Sequence, residues 1–158
     1  MRGKKAVKRS ILPDPMYGDV LVSKFINMVM WDGKKSLAQK IFYGALEDAV
    51  KKINKPNLQP MDVFTKALAN LKPSVRLRSR RVGGANLQIP VPLSEDQANF
   101  LIIKWLITAA RARKGQKMFA ALSAEFVDTY NGVGTSMKKK EEMNRMAEAN
   151  KAYAHFNW

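Results

Sequence analysis

The sequence predicts a mainly α fold: a bundle of about six helices, a β-hairpin inserted between the third and fourth, and a basic extended arm at the N-terminus. Three observations predict it. Apolar residues recur at helical spacing in separate segments along the chain. From Ser74 the period changes from about 3.6 to 2 and stays there to Val91. No acid precedes Asp14, while Arg2, Lys4, Lys5, Lys8 and Arg9 crowd the first nine residues with charge. A chain of 158 residues suits a single domain, so the arm is expected over 1–15 and one helical domain over 16–158, with the hairpin at about 74–91.

The arm has no apolar pattern to bury and reads as extended. Pro13 and Pro15 punctuate its end. Leu21, Phe25, Met28 and Val29 then predict a first helix over Val20 to Trp31, closed by Asp32-Gly33 with Gly33 in a left-handed position. Ser36-Leu37-Ala38-Gln39 has the reciprocal capping pattern of a helix start, and this second helix should reach Ile53. Pro60 fits the first turn of a third helix, striped by Phe64, Ala67, Leu68 and Leu71 and closed by Lys72-Pro73.

In the hairpin, Arg76, Arg78 and Arg80 alternate with Val75, Leu77 and Ser79. Alternation puts the three arginines on one face at intervals of about 6.6 to 7 Å, close to the spacing of phosphates along one strand of nucleic acid. Val75, Leu77, Leu87, Ile89 and Val91 are expected on the opposite face, packed on the bundle. Gly83-Gly84 supplies the turn, and Pro90 and Pro92, which donate no ladder hydrogen bonds, favour a two-stranded arm. Ser94-Glu95-Asp96-Gln97 repeats the capping pattern before a fourth helix to about Arg113, apolar on nearly every side and therefore central. Gly115 interrupts it. A fifth helix carries Met118, Ala121, Leu122 and Phe126 and ends near Asn131-Gly132; a sixth follows Gly134. Trp31 and Trp105 are expected in the core or at its edge, with the methionines filling gaps.

Charge narrows the function. Lys and Arg number 28 against 13 acids, a net charge of +15, which favours a polyanionic partner. The cations are unevenly placed: Val63 to Ser94 has no acid but holds Lys66, Lys72, Arg76, Arg78, Arg80 and Arg81. Gln97 to Ala124 is again free of acids and holds Lys104, Arg111, Arg113, Lys114 and Lys117. Guanidinium groups bind phosphate bidentately and stack on bases, so the hairpin and arm are the expected nucleic-acid contacts.

Other classes lack their chemistry. The chain has no Cys and a single His, which excludes disulfides, thiolate metal sites and histidine clusters. Adjacent carboxylates such as Glu47-Asp48 do not face each other on a helix, and Gly83-Gly84 fits no phosphate-binding loop. No catalytic residue, metal, cofactor or small-molecule substrate is expected, and His155 reads as a packing or stacking residue beside Tyr153 and Phe156. The most apolar run, Ala98 to Ala110, has 13 residues and contains Lys104, short of the roughly 20 a bilayer needs. No export signal is readable. Two binding readings follow: an RNA clamp built from arm and hairpin, or an architectural DNA protein with a basic β-arm.

Three stretches carry a resemblance. Gly33-Lys34-Lys35-Ser36 with Ile41-Phe42-Tyr43-Gly44-Ala45, the hairpin run Arg78-Ser79-Arg80-Arg81-Val82-Gly83-Gly84-Ala85-Asn86, and the tail from Arg145 to His155 resemble, in order, the family of bacterial small-subunit ribosomal protein seven. Arg76 stands where that family commonly has an acid, and Leu87 where it commonly has an aromatic. The resemblance implies a cytoplasmic ribosomal protein that binds the 3′ major domain of small-subunit ribosomal RNA and nucleates assembly of the subunit head. It implies RNA contacts at Arg2, Lys4, Lys5, Lys8, Arg9, Lys34, Lys35, Arg78, Arg80, Arg81, Arg111, Arg113 and Lys114; alternation alone adds Arg76. It places Val82, Gly83, Gly84, Ala85, Asn86, Tyr153 and His155 toward the exit-site transfer RNA, near the messenger exit channel. Small-subunit proteins nine and eleven are the implied neighbours.

Overall fold

Four phenylalanines tie the helices together. A computed structural model describes Gly3, Ala6 and residues 9–156; the expected arm contacts Arg2, Lys4, Lys5 and Lys8 lie outside the described residues. The chain runs α1 (Val20–Val29), α2 (Lys35–Ile53), α3 (Pro60–Leu71), β1 (Val75–Val82), β2 (Ala85–Pro92), α4 (Glu95–Ala112), α5 (Met118–Tyr130) and α6 (Thr135–Ala149). A 3-10 helix, Lys151–Phe156, follows. This is the predicted mostly helical architecture with its hairpin between α3 and α4.

Phe25 of α1, Phe42 of α2, Phe64 of α3 and Phe126 of α5 are fully buried. Their ring centroids lie 5.0 to 6.2 Å apart, several edge to face. Such pairs add about 0.5–1.5 kcal/mol each beyond the area they bury. Ile102, Ile103 and Leu106 bring α4 into the same core; α4 touches α1, α3, α5 and α6, but α5 touches α2, α3, α4 and α6, so the central position expected of α4 alone is shared with α5. Helix α4 is not apolar-packed all round, because Phe100 is half exposed.

Helix boundaries correct several expectations. α1 ends at Val29, not Trp31, because Met30 is extended and both Asp32 and Gly33 take positive φ (52° and 71°) to turn the chain into α2. Gly33 has the expected left-handed conformation. α2 already starts at Lys35, so Ser36 lies inside its first turn; Ser94 does stand before α4, but its side chain makes no capping bond. The reciprocal device belongs to α3, where the Gln59 N–H donates to Asp62 Oδ2 at 3.1 Å and Pro60 takes the first helical position. Trp105 is buried as expected, whereas Trp31 is 67% exposed; the early end of α1 turns it out of the core.

The hairpin leans on the C-terminal end of the chain. β1 packs against α6, and β2 packs against the 3-10 helix. The two strands pair antiparallel from Val75↔Pro92 to Val82↔Ala85.

Candidate nucleic-acid interface

The strand register decides which hairpin side chains share a face. Gly83 and Gly84 form a two-residue turn with φ of 55° and 90°, the positive pair a type I′ turn requires and glycine supplies without strain. Arg76 pairs with Val91, Arg78 with Ile89 and Arg80 with Leu87. Cross-strand partners point to the same face. Leu87, Ile89 and Val91 therefore share the arginine face, correcting the expectation that they line the opposite one; Val75 and Leu77 do lie opposite. Arg81 also lies on that opposite face, with Ser79, Gln88 and Asn86.

The finger thus presents cations on both sides near its tip. Arg78 and Arg81 are exposed and Arg80 is half-buried. Toward the base, Ile89 is buried and Arg76 is drawn partly inside, its Nε buried with no hydrogen-bond partner. The tip residues Gly83, Gly84, Ala85 and Asn86 are exposed and Val82 is half-buried. Tyr153 and His155 sit on the 3-10 helix, exposed, with the His155 ring 4.0 Å from that of Phe156. That helix meets the hairpin at its base, where Val75, Pro90 and Pro92 share a cavity with Ala147, Lys151 and Ala154.

Residues far apart in sequence form a second basic patch. Arg111, in the last turn of α4, donates from Nη2 to the Val29 carbonyl at 3.3 Å and lies 5.0 Å above the Trp31 ring. Trp31 in turn leads into the exposed Lys34, which caps α2, and Lys35, its first residue. Lys34 is 3.9 Å from Asp32, but both are well exposed, so the attraction is weak and salt-screened. Lys114 is also exposed.

Arg113 belongs to the scaffold. Its Nε and Nη2 donate to Glu125 Oε1 at 2.9 and 2.7 Å, and Nη2 also reaches Asp128 Oδ2. Glu125 is wholly buried and accepts from Ser136 Oγ at 2.9 Å through its other oxygen. Burial disfavours the Arg113 charge, yet the hydrogen bonds to Glu125 and Asp128 outweigh it and raise the pKa above its ordinary value. Other cations from the acid-free stretches also have internal partners: Lys66 lies 4.1 Å above the Tyr130 ring and Lys72 is 4.0 Å from Glu95.

The arm leaves the bundle through a fixed exit. Asp14 is buried; its Oδ2 accepts from the Met16 and Tyr17 N–H groups at 3.1 and 3.2 Å, and its Oδ1 accepts from the Tyr43 hydroxyl at 2.7 Å. This ties the segment that follows the exposed Arg9 to one place on α2. Burial pushes the Tyr43 pKa up to about 12, and the hydrogen bond and charge of Asp14 push the same way. The fold holds that proton more tightly than the unfolded chain does. Its stabilisation is complete below pH 10 and disappears as pH rises to about 12. Tyr43→Phe is therefore expected to lose stability less steeply than the parent over that window in urea titrations; identical slopes would show that the bond to Asp14 does not couple to folding.

Among the described residues no group of three or more His, Asp or Glu could hold a metal ion, and no helix is long and apolar enough to cross a membrane. The family model "Ribosomal protein S7p/S5e" matches residues 1–151. The chain is 53% identical to small ribosomal subunit protein uS7 of Petrotoga mobilis over 158 residues, all of both chains. Identity is 51% to that protein of Thermotoga neapolitana and 52% to that of Kosmotoga olearia, again over the full length of each. With this fold, these basic surfaces and matches that run from end to end, the chain belongs to the ribosomal protein S7p/S5e family and is a structural, non-enzymatic protein of the ribosome.

Proposed function

We propose that the chain is a primary binder of small-subunit ribosomal RNA that grips the 3′ major domain and nucleates assembly of the subunit head. The observation that carries this reading is the two-sided finger, with Arg78 on one face and Arg81 on the other, supported on a rigid bundle that also gathers Lys34, Lys35 and Arg111. Cations on both sides suit a backbone that folds around the finger more than a flat duplex, and shape then selects the junction while phosphate attraction supplies affinity. The arm from Arg2 to Arg9 and Lys114 extend the same contact. The exposed tip at Gly83–Asn86, with Val82, and the C-terminal Tyr153 and His155 face the exit-site transfer RNA near the messenger exit channel. Small-subunit proteins nine and eleven are the neighbours in this reading. An architectural DNA protein needs an apolar wedge at its arm tip, and Val82-Gly83-Gly84-Ala85 is a poor one.

Two measurements test the proposal together. Chemical footprinting of the ribosomal RNA is expected to give protection confined to a junction of the 3′ major domain. In competition, that junction is expected to displace duplex DNA readily. Equal affinity for the two nucleic acids would remove the reading.

A further inference from the structure

We propose that the slot between the end of α1 and the start of α2 holds one unstacked nucleobase of the ribosomal RNA, with Trp31 as its stacking partner and Lys34 on the adjoining phosphate. This rests on the RNA-binding reading above and adds a contact of another kind, to a base and not to backbone.

The slot has a volume of about 240 Å³, below the roughly 300–1,000 Å³ of drug-sized sites and suited to one flat ring system. Buried Val29 and Ala38 line it, together with Ile41, while the exposed Trp31 and Leu37 line its open part. Lys34 and Asp32 also line it. An indole that is 67% exposed buries little apolar area for the fold, but it is held in place. Arg111 lies 5.0 Å over the ring and is fixed by its bond to the Val29 carbonyl, and it is not among the residues lining the slot. The indole thus lines an apolar space that the guanidinium does not line, and the ring face turned from a bound cation is the one a base can stack on.

Charge identifies the occupant. Lys34 and Asp32 line the slot, and Arg111 over the Trp31 ring and the exposed Lys35 next to Lys34 in sequence add two cations beside it, an excess that favours a segment carrying phosphate over an apolar peptide. Proteins that take single-stranded RNA combine this same pair, a basic track and an aromatic platform.

The test uses the full chain and a transcript of the 3′ major domain. Trp31→Ala is expected to weaken binding about tenfold while leaving the salt dependence unchanged, and Trp31→Phe to retain most of the affinity. With Trp105 and Trp158 both changed to Phe, emission from Trp31 is expected to fall as the transcript binds. Unaltered affinity of Trp31→Ala, or unaltered emission with the transcript bound, overturns the site. So does a Trp31→Ala protein that binds the transcript normally yet fails to enter the assembled particle, since the slot then holds a protein neighbour. The RNA-binding reading itself fails differently, by the parent protein not binding the transcript.

Discussion

Replacing Arg78, Arg80 and Arg81 together with alanine is expected to weaken binding to the ribosomal RNA by more than about 2 kcal/mol, or about thirtyfold, since each lost charged hydrogen bond is worth about 1.5–3 kcal/mol and part of the phosphate attraction survives elsewhere. The logarithmic salt slope should shrink by about 2 to 3, one unit for each phosphate contact removed. The fold should persist, because the strands are held by their ladder and by packing on α6 and the 3-10 helix, and circular dichroism checks that. The register makes a finer claim. Arg78 and Arg81 lie on opposite faces, so Arg78→Ala and Arg81→Ala should each reduce affinity and add nearly independently. If one is silent, the RNA lies against one face only. An unchanged affinity and slope in the triple variant would show that the finger is not the clamp.

The helices were legible because their burial depends on period, and period survives in a sequence. The Phe25, Phe42, Phe64 and Phe126 stripes each mark the face that meets the others. The hairpin was legible as a hairpin, but its faces follow from parity. Across a two-residue turn at Gly83-Gly84, even positions of β1 pair with odd positions of β2, so Leu87, Ile89 and Val91 had to join Arg76, Arg78 and Arg80. That arithmetic was available in the sequence once the turn was placed. Trp31 was hidden for another reason: its exposure depends on α1 ending at Val29, and helix ends are set by tertiary contacts as much as by residue type. Arg111 and Arg113 are two residues apart with similar composition around them, yet one reaches the carbonyl of Val29 and the other the buried Glu125. Which arginine faces solvent and which faces a buried acid is fixed by the crossing of α1, α4 and α5, and no local pattern records it.

Glu125 makes Arg113 the second large effect. Arg113→Ala is expected to destabilise the fold by about 3 kcal/mol, near the lower end of the range for breaking a buried pair by removing one partner. The lower end applies because the Arg113 side chain is 29% exposed and is partly screened by water. What remains is a carboxylate with no exposed surface, holding only Ser136 Oγ, with the Asp128 carboxylate no longer bridged to it. Two acids released from one shared cation repel each other in a poorly solvated place. Because Ser136 lies in the first turn of α6 and α6 supports β1, the loosening should spread toward the hairpin and raise hydrogen exchange there. A variant that removes the charge along with its partner, Arg113→Met with Glu125→Leu, should recover much of the loss, since replacing both members by apolar groups of similar volume is often neutral. Urea unfolding of the three proteins measures this, and transcript binding below the unfolding transition separates it from a direct contact. An Arg113→Ala protein with undiminished stability and reduced RNA affinity would place Arg113 on the RNA and remove it from the scaffold.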